Sequence, residues 1–270
     1  MYPAELVSIE GPDAIAFAQA QFSSNLAALA DGQWQFSAWL DAQGRVRALF
    51  HLLRLDGQRL QLLLRGGGAG VFAAELQRFV FRAKARVSAL PPQQLGTVGP
   101  LALHVVQEQD DALVLGCGSH GLKITGAGDD DWRLLQVHAG WPWLPRGLPG
   151  ELLPTSIGLG ELGASALDKG CYPGQEIVAR LHYRGGHKRH LHRVRLSRML
   201  PPGSVLHENE QVLMQLLDVV QADGHAEALA VVHDEMAARI VAGIDALHEG
   251  QQVFVDGIEH APASIRNVTD

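Results

Sequence analysis

The chain has 270 residues, of which 47% are hydrophobic and 19% charged, and its formal net charge is −7. This composition predicts a globular protein with one large core or several smaller ones, and excludes disordered, collagen-like and disulfide-rich classes. Two cysteines, Cys117 and Cys171, are too few for a secreted disulfide framework, so we expect a reducing compartment. The sequence shows neither a signal-peptide pattern nor a window of ~18 apolar residues, which predicts a cytoplasmic protein without membrane contact.

The first part of the chain predicts strand, helix and then more strands. A short apolar strand at 6–9 is followed by a Gly-Pro-Asp turn at 11–13, which suits the first turn of a helix. Ile15, Phe17, Ala18 and Phe22 then recur at helical spacing. Alternating apolar runs predict strands at 34–40, 45–55 and 59–64, with a hairpin turn at 41–44. A loop of three glycines, 66–68, precedes a predicted helix at 71–80.

The middle and the end of the chain contain shorter elements. We predict strands at 86–90, 101–106 and 112–117, a proline-rich linker at 91–100, a helix at 132–138 and irregular loops at 141–165. From 191 onwards short apolar runs separated by glycine turns are typical of a small β-barrel or sandwich. The predicted class is α+β, with a two-lobed core at 1–190 and a C-terminal β-barrel domain at 191–270.

Charge is distributed unevenly in the second half. Residues 177–198 carry seven basic side chains and no acid, whereas 199–270 carry twelve acids and two arginines. The basic stretch is either a solvated strand or a receiver for an anion, such as a phosphate or the glutamyl tail of a folate. It lacks interleaved aromatic residues, so we do not expect direct nucleic-acid binding.

Residues 168–180, Asp-Lys-Gly-Cys-Tyr-Pro-Gly-Gln-Glu-Ile-Val-Ala-Arg, place a cation, a thiol and an amide–carboxylate pair around a turn. Pro173 and Gly174 predict the start of a helix, so Cys171 would lie just ahead of its N-terminus and two residues from Lys169. Both neighbours favour a thiolate. The alternative is a buried structural cysteine. The nearby histidines at 182, 187, 190 and 192 do not share one face and have basic neighbours, so no metal site is predicted.

The segment Lys169-Gly-Cys-Tyr-Pro-Gly-Gln-Glu176 resembles the signature of the YgfZ family at every fixed position. The Asp-Ala-Gln-Gly-Arg turn at 41–45 and the segment from Trp132 to Gly140 are also similar to that family. The resemblance implies three domains in a ring around a central hole that holds a tetrahydrofolate. It also implies Lys169 and Cys171 as the active pair.

The resemblance further implies a set of folate contacts: Trp132, His138, Tyr172, Gln175, Glu176 and Arg180. Trp132 matches an aromatic residue that contacts the folate, although a core anchor is the alternative. His138 stands where the glycine-cleavage T protein has a pterin-binding glutamate, and Asn25 stands where relatives often have an aspartate. Residues 154–159 lack two amide side chains found in relatives.

The implied function is a folate-binding accessory protein that supports assembly or repair of Fe–S clusters in client enzymes, including tRNA-modifying ones. Folate and Fe–S client proteins are the expected partners, and a conventional enzymatic activity is not required. The rival is a folate-dependent one-carbon transferase similar to an aminomethyltransferase. That chemistry needs a carboxylate in the pocket, and Asn25 and His138 replace the carboxylates expected there.

Overall fold

The computed structural model describes residues 3–148 and 150–260. Their strands form two five-stranded antiparallel sheets and one closed six-stranded barrel. Five α-helices lie around these β units, and none in the described ranges is long and apolar enough to cross a membrane.

The first sheet has the strand order β3-β4-β5-β2-β6. Successive residues of its strands belong to two different cores, as the alternation of a β-strand requires: on β4, Phe50 and Leu52 face the two helices, while Leu49 and Leu53 face the centre of the molecule. The elements of this unit are β2 (Leu6–Glu10), α1 (Ala14–Gln21), β3 (Gln33–Leu40), β4 (Val46–Asp56), β5 (Arg59–Leu64), α2 (Ala69–Gln77) and β6 (Arg86–Ala89).

The second sheet has the order β1-β7-β10-β9-β8, so the first strand of the chain joins a sheet built from later residues. A helix follows this sheet, and a long loop with one 3-10 turn leads to the next helix. The elements are β1 (Pro3–Ala4), β7 (Gln93–Val98), β8 (Val106–Gln109), β9 (Ala112–Gly116), β10 (Gly121–Thr125), α3 (Asp131–His138), the 3-10 turn Pro154–Ile157 and α4 (Gln175–Arg184).

The remaining strands close into a barrel in the order β11-β14-β13-β12-β15-β16. Its interior is filled by aliphatic side chains such as Val194, Leu216 and Val255. The barrel elements are β11 (Arg189–Leu196), β12 (Val205–Glu208), β13 (Gln211–Ala222), β14 (His225–His233), α5 (Asp234–Ile240), β15 (Ile244–His248) and β16 (Gln251–His260). The predicted α+β class with a C-terminal barrel is confirmed.

Two predictions for the middle of the chain are wrong. The expected linker at 91–100 contains β7, which pairs with both β1 and β10. The glutamines and Gly96 leave this strand without an apolar pattern, and Leu95 is its one large buried side chain. The expected strand at 101–106 is irregular up to β8, with a left-handed His104 (φ 69°). Strand β10 was not predicted.

One hydrophobic cluster, here called the central cluster, joins the three β units. It combines side chains from both sheets, from α3 and the loop after it, and from the barrel, among them Trp34, Leu115, Trp132, Leu144 and Leu229. Since each unit contributes to the same buried cluster, burial of apolar area holds their arrangement together.

A fully buried arginine at the end of the first sheet reaches into this cluster. The Arg65 guanidinium donates hydrogen bonds to the Pro142 carbonyl (2.8 Å), the Trp141 carbonyl (2.7 Å) and Gln136 Oε1 of α3 (2.7 Å). It also lies 4.8 Å from the centre of the Trp143 ring. Burial lowers the pKa of Arg65 to about 9, while the charge of Asp218 opposes this shift.

We expect Arg65→Met to lower the free energy of unfolding by about 3–5 kcal/mol, because three buried acceptors lose a charged donor. Arg47→Met is the matched control, since Arg47 binds Glu75 (2.6 Å) in a partly exposed pair. Its loss is expected to cost about 1 kcal/mol or less. Urea unfolding followed by circular dichroism measures both, and equal losses would contradict the role given to Arg65.

Candidate functional site

The sequence motif forms a loop, residues 168–174, followed by α4; we call residues 168–174 the motif loop. Gly174 takes a left-handed conformation (φ 78°) and a Cβ there would lie 2.6 Å from the Asp41 carbonyl oxygen. Gly44 is also left-handed (φ 73°), and its Cβ would lie 2.6 Å from the side chain of Ile177. Only glycine fits both positions, so the start of α4 and the 41–45 turn interlock.

The 41–45 turn is itself fixed by a carboxylate. Asp41 Oδ1 accepts hydrogen bonds from the backbone N–H groups of Gln43 (2.9 Å) and Arg45 (2.8 Å). The two short motifs that drew attention in the sequence are therefore parts of one junction between the first sheet and α4.

Lys169 is used to hold the motif loop against the segment after α1. Its ammonium donates to the carbonyls of Phe22 (2.6 Å) and Ser24 (2.8 Å) and lies 5.1 Å from the centre of the Tyr172 ring. Burial lowers the pKa of Lys169 to about 8. These contacts make Lys169 a positioning residue for the loop that carries Cys171.

Tyr172 and Gln175 also support the loop from within. The buried Tyr172 hydroxyl donates to the Ala166 carbonyl (3.1 Å), and burial raises the pKa of Tyr172 to about 12. Gln175 Nε2 donates to the Lys169 carbonyl (3.3 Å). The loop has a fixed backbone conformation because its own side chains and backbone groups are hydrogen-bonded to each other.

Three predicted site residues point to solvent from this rigid support: Cys171 and, on α4, Glu176 and Arg180. The other cysteine, Cys117, is buried, and burial raises its pKa to about 12. The two thiols thus have different access to solvent. A thiol, a carboxylate and a guanidinium are presented together at the beginning of α4, where the helix dipole favours negative charge.

In segment 23–25, where the resemblance implies that relatives carry a carboxylate, the side chains form hydrogen bonds within the protein. Ser23 Oγ donates to the Ala164 carbonyl (2.5 Å) and Ser24 Oγ donates to Ser37 Oγ (2.7 Å). Asn25 Oδ1 accepts from Gln19 Nε2 (3.0 Å). These hydrogen bonds stabilise the segment whose carbonyls the Lys169 ammonium contacts.

The α3 residues lie elsewhere, in and beside the central cluster. Trp132 is 1% exposed, packs against Trp143 with ring centres 5.2 Å apart, and donates its indole N–H to the Asp129 carbonyl (3.1 Å). His138 is exposed, and its Nε2 lies 2.9 Å from Glu227 Oε2 on barrel strand β14. The structure places Trp132 as a core residue, and a contact of its ring with a ligand stays a prediction.

Sequence reasoning missed the barrel's contribution to this region. Glu227 is a mostly buried carboxylate (13% exposed side chain) that contacts His138, and Asp218 binds Arg133 of α3 at 2.6 Å. Alternation along β14 and β13 could have predicted the direction of each side chain, but not which helix it meets. Within the described ranges, no group of three His, Cys, Asp or Glu side chains could hold a metal ion.

The fold resembles that of a solved aminomethyltransferase. The crystal structure of glycine cleavage system aminomethyltransferase T from Bartonella henselae matches with a TM-score of 0.66 and 17% identity, over 95% of this chain and 82% of that one. The α+β fold with a C-terminal barrel is therefore similar to that of the glycine-cleavage T protein, as predicted.

Curated relatives indicate a family to which the sequence is similar. A tRNA-modifying protein YgfZ from Edwardsiella ictaluri is 28% identical over 255 residues, which is 81% of this chain and 75% of the relative. The tRNA-modifying protein YgfZ from Klebsiella pneumoniae is 27% identical over 221 residues, or 69% and 67%. No family model matches the chain. With the motif and the fold, these matches support the assignment of the chain to the YgfZ family.

We expect iodoacetamide to modify Cys171 in the native protein and to leave Cys117 unmodified, because only the first thiol reaches solvent and burial raises the pKa of the second. Peptide mass spectrometry at neutral pH, before and after urea denaturation, measures this. Denaturation should make both thiols reactive, and native Cys171→Ser should take up no label. Equal native labelling of the two cysteines would contradict the assignment.

Proposed function

We propose that this protein is a folate-binding accessory factor for tRNA modification that supports assembly or repair of Fe–S clusters in client enzymes. The observation that carries the proposal is the solvent-exposed Cys171 on a rigid loop. The names of the YgfZ relatives support the link to tRNA modification, and the similarity to the T-protein fold supports the binding of a folate. In this proposal the cluster or its iron is cargo of the client enzyme.

The residues beside Cys171 suit a folate chemically. The carboxylate of Glu176 can accept paired N–H groups of a pterin ring, and the guanidinium of Arg180 can bind a carboxylate of the folate tail. Gln175 and Tyr172 would form the support beneath them, as their hydrogen bonds inside the loop indicate. A reduced folate carries or accepts a one-carbon unit when bound.

Trp132 and His138 remain proposed contacts from the α3 side. Trp132 packs on Trp143 in the central cluster, so a folate ring can stack on it only if Trp143 moves. His138 would have to share its Nε2 with Glu227 or give up that partner. The α4 residues therefore supply the first contacts in this proposal, and the α3 residues supply later ones.

We expect tetrahydrofolate to bind wild-type protein, and Arg180→Ala to weaken binding about tenfold because a charge-assisted hydrogen bond is lost. Arg184→Ala is the matched control, since both arginines are exposed on α4 one turn apart. Anaerobic isothermal titration calorimetry measures the affinities. Trp132→Phe should reduce any quenching of indole fluorescence. The absence of saturable heat with wild type would refute folate binding.

We expect Cys171→Ser to keep the melting temperature of wild type and to fail in restoring modified tRNA nucleosides to a strain that lacks its own homologue. The serine cannot act as a soft ligand or a thiolate. Nucleoside mass spectrometry measures the outcome, and Asp168→Asn, an exposed neighbour, is the control. Full restoration by Cys171→Ser would contradict a role for the thiol.

The rival function, a one-carbon transferase, gains one specific support from the barrel. Glu227 brings a carboxylate next to His138, where the T protein has a glutamate by resemblance. Formation of methylenetetrahydrofolate from an aminomethylated carrier protein at ~1 s⁻¹, within the ordinary range of enzymes, would favour this rival. Loss of that turnover in Glu227→Gln would assign the carboxylate to it.

A further inference from the structure

A cavity of about 570 Å³ lies between the 3-10 turn, the segment after α4 and the barrel wall. None of the residues proposed above for folate or for the thiol chemistry lines it. Its volume is in the range of small-molecule sites. The cavity is therefore a separate place at which a ligand can bind.

One wall of the cavity is aliphatic. Strands β12, β13 and β14 supply Val205, Leu213 and Val231, with Gln215 of β13 opposite the two valines, and Val212 stands at the rim with 47% exposure. Leu152 and Leu153 cover the side towards the 3-10 turn. Among the described residues that line the cavity there is no phenylalanine, tyrosine or tryptophan, so the wall suits an aliphatic chain better than a flat heterocycle.

The opposite edge is formed by hydrogen-bond donors that follow α4. The helix ends at Gly185, and Gly186 (φ 90°) turns the chain so that Lys188 and Arg189 line the cavity, with His233 nearby on β14. Glu151 is the acid among the lining residues. Lys188 lies 3.7 Å from Glu235, but both side chains are at least 68% exposed, so this pair is weak and leaves Lys188 free to turn.

The cationic segment is fixed in place by a buried hydroxyl. Ser156 Oγ, in the 3-10 turn, lies 2.7 Å from His187 Nε2. Ser156 is 3% exposed, so this bond ties the segment to the protein interior. The edge of the cavity is thus held at a fixed distance from the barrel wall.

We propose that this cavity binds a small amphipathic anion: a phosphate or carboxylate head group on an aliphatic chain of a few carbons. Lys188 and Arg189 bind the head group, and the β12–β14 wall buries the chain. Head and chain are both required, because two exposed cations bind a bare anion weakly in water and each buried CH₂ adds about 0.8 kcal/mol.

The test uses hexyl phosphate and hexanoate as probes for the two head groups, with the full-length protein. Methyl phosphate and hexyltrimethylammonium are the controls, one lacking the chain and the other carrying the opposite charge. Valine-methyl NMR reports the position: the signals of Val205 and Val231, which line the cavity, should shift with saturation, and those of Val253 and Val255, in the barrel core, should stay. Binding of either hexyl anion supports the proposal, and the tighter one identifies the head group.

Two pairs of variants locate the binding. Val212→Glu adds a negative charge at the rim and should weaken hexyl-anion binding at least tenfold, whereas Val241→Glu, an exposed barrel valine outside the cavity, should change it less than twofold. The double variant Lys188→Ala/Arg189→Ala should act like Val212→Glu, and Arg195→Ala on β11 should act like Val241→Glu. Absence of saturable binding, equal binding of hexyltrimethylammonium, or insensitivity to Val212→Glu would overturn the proposal.

Discussion

The buried guanidinium of Arg65 is the interaction on which the arrangement of the two sheets and α3 depends. Its hydrogen-bond acceptors among the described residues are two backbone carbonyls and one amide oxygen, and none of them is a carboxylate. An arginine without water must satisfy its donors within the protein. The loop 141–144 and α3 are therefore held at the end of β5, and α3 in turn reaches the barrel through Arg133 and Asp218.

The core around Arg65 also disfavours the protonated form of a neighbouring side chain, His51. His51 is completely buried, and neither ring nitrogen has a hydrogen-bond partner among the described residues. Burial, and next the charge of Arg65, hold its pKa well below the ordinary value, so His51 stays neutral. Because the unfolded chain binds a proton near pH 6.5 that the folded chain does not, stability falls as the pH drops below that value. Acid sensitivity thus follows mainly from the burial of His51, and the charge of the buried Arg65 adds to it.

The sequence predicted the elements whose pattern is long and regular, and it failed where the signal is carried by tertiary contacts. Strands β3, β4 and β5 were visible because both of their faces are largely buried, so their sequences contain long runs rich in apolar residues. Strand β7 was not predicted because its glutamines and Gly96 give no apolar pattern, and its pairing with β1 and β10 is evident only in the structure. For the candidate site, the motif predicted Lys169 and Cys171, but it could not show that the Lys169 ammonium contacts the carbonyls of Phe22 and Ser24. Glu227 comes from a distant strand, and no local pattern marks it.

The close fit of Gly44 and Gly174 limits which sequence changes related proteins can accept in these two segments. Each glycine leaves room for the backbone or side chain of the other segment, so the 41–45 turn and the start of α4 act as two halves of one joint, although 130 positions separate the two glycines in the sequence. A change of backbone on one side is tolerated only with a matching change on the other. If the motif loop were grafted onto a related protein, the 41–45 turn would therefore have to be grafted with it.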